Sequence, residues 1–258
     1  GRGGMGIVYK AWQRSLQRPV ALKLILSGTF APDEELDRFR AEAMAIARLH
    51  HPHLLSIYEI GENDHTPFYA MEYMEGGSLA ARLNGKPIAP RVAAEMVRSL
   101  ADAMDCAHKN GIVHRDLKPA NVLLSGNANT PLEACVAKIT DFGIAKHLNG
   151  DANCTRTGDI LGTPNYMAPE QATGHSGQVG PTADVYSLGA ILYELLTGKP
   201  PFDGKDVPDI LARLTHEDPD RPSRWVRGLP RDLETICLKC LEKDPAKRYP
   251  TAAALADD

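Results

Sequence analysis

Hydrophobic positions in this chain keep two periods, and the change from one to the other divides it. Near the start the period is two. Ile7-Val8-Tyr9-Lys10-Ala11-Trp12 is rich in β-formers. The run Pro19 to Leu26 puts Val20, Leu22 and Leu24 on one strand face and Ala21, Lys23 and Ile25 on the other. Phe68-Tyr69-Ala70-Met71-Glu72-Tyr73-Met74 predicts a further strand, and Gly76-Gly77 then breaks the chain. One helix interrupts this region. Residues 33–49 carry Leu36, Phe39, Ala43, Ile46 and Leu49 on one stripe, with Asp33 as N-cap and Glu34 and Glu35 in the first turn. From Pro90 the period is helical. Val92, Met96, Val97, Leu100, Met104 and Ala107 form a core stripe that Asn110-Gly111 stops. Asp184 opens a helix through Val185, Leu188, Ile191, Leu192, Leu195 and Leu196, ended by Gly198 and Pro200-Pro201. A helix this apolar predicts a central pillar. Leu233, Ile236, Cys237, Cys240 and Leu241 share the stripe of a later helix.

Two charges conflict with this pattern. Lys23 lies in a strand whose faces are both mainly apolar, and a buried ammonium needs an anion or gives up its proton. Glu42 follows Phe39 by three positions and precedes Ile46 by four, so it points with the apolar stripe. Pairing Lys23 with Glu42 resolves both conflicts. A lysine snorkelling at a sheet edge is the plainer alternative.

Composition acts mainly by exclusion. The 258 residues suit one large domain or two lobes, at about 150 residues per domain. Hydrophobic residues at 43% and charged residues at 24% are ordinary for a globular chain. A net charge of -4 gives no reason to expect a nucleic-acid partner. The longest nearly apolar run, around Leu188 to Leu196, falls far short of the roughly 18 residues that span a bilayer. Five cysteines do not form a disulfide framework, which points to a reducing, cytoplasmic compartment. Cys237-x-x-Cys240 reads as helix packing rather than a metal or redox pair. His50-His51-Pro52-His53 reads as a helix C-terminus, where the dipole favours histidine.

The chemistry concentrates in His114-Arg115-Asp116-Leu117-Lys118-Pro119-Ala120-Asn121. Here an acceptor for a proton, a cation for phosphate oxygens and a neutral oxygen ligand for a metal lie close together. Twenty positions later comes Asp141-Phe142-Gly143. At the start, Gly1, Gly3 and Gly6 match G-x-G-x-x-G, whose backbone amides can approach phosphate oxygens closely. That spacing alone also fits a plain Gly-rich hairpin. A dinucleotide-binding fold would place a helix next, not the β-rich run seen here. Taken together, with Val8 extending the glycine pattern, the three motifs resemble the catalytic loop, metal-binding triplet and Gly-rich loop of the protein kinase family. The resemblance covers essentially the whole chain.

It implies an α+β, two-lobed kinase fold, with residues 1–74 as a β-rich N-lobe, residues 75–258 as a helical C-lobe, and ATP between them. Asp116 would orient the substrate hydroxyl and accept its proton. Lys118 would contact the γ-phosphate, and Asn121 and Asp141 would bind magnesium. Lys23, held by Glu42, would contact the α- and β-phosphates. Gly1, Gly3, Gly6, Val8, Ala21, Glu72, Met74 and Leu123 complete the expected nucleotide contacts, with Met71 at the back of the adenine pocket and hinge bonds from the backbone of residues 72–74. Asp184 would anchor the backbone of the loop at His114, and Glu170 would pair with Arg248.

Lys118-Pro119 and Gly162-Thr163-Pro164-Asn165-Tyr166-Met167-Ala168-Pro169-Glu170 resemble serine/threonine kinases, and the bacterial Hanks type most closely. Thr163 would bond Asp116 and Lys118. Thr155 and Thr157 stand where that group carries activating phosphates, which Arg115 would read; a plain polar loop is the alternative. Residues 125–136 are turn-rich and predict a surface insertion. The expected partners are ATP, magnesium and protein substrates, with a kinase–kinase dimer a further expectation and no nucleic acid or membrane contact from this segment. A pseudokinase scaffold and a small-molecule kinase are the competing readings. The chain begins at the first glycine and stops inside a helical pattern, as a domain taken from a longer protein would, and the resemblance allows that protein a membrane anchor.

Overall fold

The computed structural model describes residues 2–3, 6–25, 41, 43–63, 66–142, 164–173 and 179–258, with backbone alone at 2–3. The expectations placed on Gly1, Glu42, Thr155, Thr157 and Thr163 lie outside the described residues.

The period-two runs form one antiparallel sheet. Its strands are β1 (Arg2–Gly3), β2 (Gly6–Gln13), β3 (Arg18–Ile25), β4 (Ile57–Asn63) and β5 (Thr66–Glu72), in the order β1-β2-β3-β5-β4. Alternation holds along β3: Ala21, Lys23 and Ile25 are buried while Leu22 and Leu24 are half-buried. At Gly6 the strands meet so closely that a Cβ would sit 2.0 Å from the Leu24 carbonyl oxygen. The glycine is therefore required by sheet packing before any ligand is considered. Of the expected helix at 33–49, the described part is helical over 43–47, with Ala43 and Ile46 buried.

The rest is helical: α1 (Leu79–Leu83), α2 (Pro90–Lys109), α3 (Pro169–Ala172), α4 (Pro181–Thr197), α5 (Val207–His216), α6 (Arg231–Cys240) and α7 (Ala252–Asp257). Among the described residues no helix is long and apolar enough to cross a membrane. In α2 the inward stripe runs through Ala93 and leaves Val92 half-buried, one position away from the expected start. The central pillar is α4, buried at every residue from Ala183 to Tyr193. It begins earlier than expected. Pro181 occupies its first turn, where a missing N–H costs nothing, and Asp184 is a buried residue inside the helix rather than its opener. Gly198 closes it in the left-handed conformation, φ 79°.

The cysteine pair is explained by packing. A Cβ on Gly189 would lie 2.3 Å from Cys240 Cβ, and the Cys237 thiol points at the Gly189 carbonyl from 3.6 Å. Burial pushes both thiols up, away from the thiolate that metal binding or redox work needs.

A small ladder of β6 (Val122–Leu124) and β7 (Ala137–Ile139) lies beneath the sheet. The chain entering β4 is fastened to it. Leu55 N–H donates to the Ile139 carbonyl at 2.9 Å, Ile139 N–H donates to the His53 carbonyl at 2.9 Å, and the His53 ring bonds the Ala137 carbonyl at 2.8 Å. Between β6 and β7 the expected insertion is on the surface. Arg82 holds it through the carbonyls of Asn127 and Thr130.

Candidate active site

The loop between α2 and β6 carries the first group of residues. Its backbone follows no regular ladder, so side chains bind its polar groups. Asp184 reaches up from α4, fully buried. Its Oδ2 accepts His114 N–H at 2.8 Å and its Oδ1 accepts Arg115 N–H at 3.0 Å. His108 from α2 holds the same carboxylate, Nε2 to Oδ2 at 2.8 Å. The expected anchoring by Asp184 is what the geometry shows. Arg115 has φ 62°, a left-handed conformation that costs a non-glycine residue about 1–3 kcal/mol and persists only where surroundings enforce it.

His114 is itself part of the frame. Its Nδ1 accepts Asp116 N–H at 3.2 Å, so the proton sits on Nε2, which donates to the Thr140 carbonyl at 3.0 Å. Burial holds this imidazole below the ordinary histidine value, keeping the neutral form that both bonds need. One ring thus ties the residue before Asp141 to the backbone N–H of Asp116 itself. Phe142 packs on it, with ring centroids 4.7 Å apart.

Asp116, Lys118 and Asn121 converge. Lys118 Nζ lies 2.9 Å from Asp116 Oδ2, and Asn121 Nδ2 donates to the same oxygen at 3.1 Å and to the Asp116 carbonyl at 2.8 Å. With Nδ2 directed at Asp116, Oδ1 is the atom of Asn121 that could ligate a metal.

Asp141, at φ 57°, is joined to this group through the preceding residue, because Thr140 N–H donates to the Asn121 carbonyl at 2.9 Å. Lys23 reaches it from the sheet, Nζ to Oδ1 at 2.6 Å. Lys23 is 9% exposed, so it is the buried ammonium that the strand pattern predicts. The anion described here is Asp141, while Glu42 lies outside the described residues. Tyr69, paired with Lys23 across β3 and β5, donates its hydroxyl to the same Oδ1 at 3.3 Å. Burial beside Asp141 raises the phenol's pKa well above normal, so it remains a donor. Met71, Tyr69, Ile46, Leu55, Asp141 and Phe142 line a cavity behind this pair. Among the other expected nucleotide contacts, Ala21 is buried on β3, Val8 and Met74 are half-buried, and Leu123 lies on β6 opposite Lys138. The Glu72 carboxylate is taken up by Lys138 at 2.8 Å and its N–H donates to the Ser56 carbonyl at 2.9 Å, so any hinge role falls to its carbonyl.

The segment after the undescribed stretch is tied down by its own contacts. Arg248, buried, forms a two-pronged pair with Glu170 at 2.7 and 2.8 Å, as expected. Tyr166 donates to Glu194 at 2.5 Å, and Ser187 donates to the Tyr166 carbonyl at 2.8 Å. Sequence reasoning missed Gln171, Tyr69 and His108. His108 offered a signal, since it lies four positions after Met104 on the inward stripe of α2. The other two act through contacts that only the tertiary fold creates.

A model of the protein kinase domain matches residues 1–258. The chain belongs to the protein kinase family. It is 38% identical to the serine/threonine-protein kinase PknB of Mycobacterium leprae over 263 residues, covering all of this chain and 41% of that protein. It is 40% identical to the serine/threonine-protein kinase PrkC of Bacillus subtilis, covering all of this chain and 38% of that protein. The chain therefore spans about two fifths of these relatives. Among solved structures, the Mycobacterium tuberculosis PknI kinase domain matches with a TM-score of 0.73 at 28% identity, covering 100% of this chain and 90% of that one. Rad53 residues 1-466 in complex with AMP-PNP match with a TM-score of 0.80 at 25% identity, covering 100% and 62%. The domain is thus a protein kinase domain of the bacterial Hanks-type serine/threonine group, with the two-lobed fold of that family.

Proposed function

We propose that this domain transfers the γ-phosphate of ATP to serine or threonine hydroxyls of proteins, with Asp116 as the catalytic base. The observation that carries the proposal is the convergence of Asp116, Lys118 and Asn121, joined to the Lys23–Asp141 pair through Thr140, whose N–H donates to the Asn121 carbonyl at 2.9 Å. A proton acceptor, two cations and two oxygen ligands are thereby gathered in one region.

The residues fit ATP and magnesium by their donor chemistry. Asp141 and Asn121 offer a carboxylate and an amide oxygen, which suit a hard divalent cation. Both described contacts of Asp141 use Oδ1, which leaves Oδ2 for coordination. Bound magnesium would neutralise phosphate charge. Lys23 would bind the α- and β-phosphates, and Lys118 would stabilise charge on the transferring group. Asp116 would orient the acceptor hydroxyl and take its proton onto the carboxylate that Lys118 and Asn121 hold in place. Gly3, Gly6, Val8, Ala21, Met74 and Leu123 would enclose the nucleotide. Thr163 would position the acceptor, and autophosphorylation at Thr155 or Thr157 would switch the domain on through Arg115.

The test is phosphate transfer from labelled Mg-ATP to the domain itself and to a basic protein, beside Asp116→Asn. Labelling by the native domain is expected to fall by about 10³-fold or more in the variant, with nucleotide still bound. Bound nucleotide with no transfer by either protein would favour a scaffold instead.

A further inference from the structure

The peptide between Arg115 and Asp116 has a side chain at each end. Its N–H, on Asp116, donates to His114 Nδ1. Its carbonyl, on Arg115, accepts from Gln171 Nε2 at 2.9 Å. Gln171 is the third residue of α3, on the segment tied to Arg248 through the adjacent Glu170. The orientation of its amide is fixed from the other end, because Oε1 accepts Ala168 N–H at 3.0 Å. A flipped amide would place N–H against N–H and carbonyl against carbonyl. Gln171 also lines the cleft that holds Asp116, Lys118, Tyr166 and Met167.

We propose that Gln171 is a positioning residue that holds Asp116 through the Arg115 carbonyl, so that the catalytic base is set only when the segment 164–171 is seated. Arg115 is in a left-handed conformation. Asp184 enforces that conformation at its N–H, and Gln171 completes the restraint at its carbonyl. A peptide free to rotate there would swing the Asp116 side chain away from the acceptor hydroxyl. Asp184 belongs to the helical core and holds regardless of substrate. Gln171 belongs to the segment expected to meet the substrate, so its bond couples substrate positioning to the base.

The inference rests on the phosphotransfer reading above, and its test separates the two. Gln171→Glu keeps an oxygen for Ala168 N–H but places an ionised oxygen against the Arg115 carbonyl. The expected result is a fall in kcat of about tenfold, with nucleotide affinity unchanged, because geometry at the base and not binding is lost. The repulsion also raises the new carboxyl's pKa, and its protonated form is again a donor. The ratio of variant to native kcat should therefore climb as pH falls from about 8 to about 6, which a merely structural defect would not produce. Gln171→Leu should lose kcat with no such climb. Amide exchange of residues 114–118 should be faster in Gln171→Glu at neutral pH. An unchanged kcat, or pH profiles that run parallel to the native one, would overturn the proposal. If Gln171→Glu does not fold, an unchanged kcat in Gln171→Leu overturns it instead. If the native domain transfers no phosphate, the phosphotransfer reading fails, and unchanged amide exchange in the variant overturns the clamp by itself.

Discussion

The two sides of the cleft are held differently. Among the described residues, the Asp116 loop is held from the helical lobe, by Asp184 of α4, by Gln171 of α3 and by its own His114, with His108 of α2 behind Asp184. Asp141 takes its described contacts from the sheet, through Lys23 and Tyr69. One side is a product of a single packed core. The other exists only when sheet and helices meet in the right relation. A kinase domain built this way can set its base from within the helical lobe, through the pillar and the segment 164–171, while its nucleotide side depends on how the sheet meets that lobe.

The largest effect should come from breaking the first side. Asp184→Ala leaves two loop N–H groups and the His108 ring without their acceptor in a fully buried place. Each stranded buried donor costs about 1–3 kcal/mol, so a loss of at least about 3 kcal/mol is expected. Urea denaturation measures it. If the variant keeps native stability, the loop does not depend on the pillar, and the contrast between the two sides fails.

The loop was legible because its chemistry lies inside one short stretch, His114 to Asn121, where spacing alone places an acid, a cation and an amide together. Strand alternation likewise marked Lys23 as buried. Its described partner was not legible from spacing, since Asp141 is 118 positions away. The roles of Asp184 and Arg248 were reachable only through family resemblance, because ion pairs and caps between distant helices leave no periodic trace. The start of α4 was misplaced for a local reason: Asp184 looks like a cap, but Pro181 sets the first turn and the aspartate is needed deeper in. Gln171 sits in a helix of four residues, too short for any period to show.

A smaller effect sharpens the comparison through pH. Burial lowers the His114 pKa, so the unfolded chain binds a proton near pH 6.5 that the native state refuses. Stability from this group is complete above about pH 6.5 and declines as pH falls below it, by at most about 1.4 kcal/mol per pH unit. His51 shifts in the same direction and adds to the slope. Glu194 has the opposite sign, since its raised pKa gives stability at low pH that is lost as pH rises through the acidic range. Denaturation midpoints from about pH 7 to pH 5 should fall, and His114→Asn should flatten the fall. Because Nδ1 must stay unprotonated to accept Asp116 N–H, the protection of the loop amides, relative to their intrinsic exchange at each pH, should fall over the same window. Protection that is unchanged with pH would detach His114 from the loop's frame.

The smallest effect probes the other side. Tyr69→Phe keeps the ring beneath Lys23 and removes only the hydroxyl on Asp141. The bond is long, so stability should change by less than about 1 kcal/mol. What should change is the magnesium concentration needed for half-maximal nucleotide binding, rising about two- to fivefold as Asp141 gains freedom. Calorimetric titration at several magnesium levels reads this without requiring turnover. Loop exchange should stay native in this variant, because the described hydrogen bonds of the Asp116 frame do not include Tyr69. If the loop loosens as well, the two sides are one coupled unit. If neither the magnesium requirement nor the loop responds, Lys23 alone fixes Asp141, and the sheet acts on the metal ligand through a single ammonium.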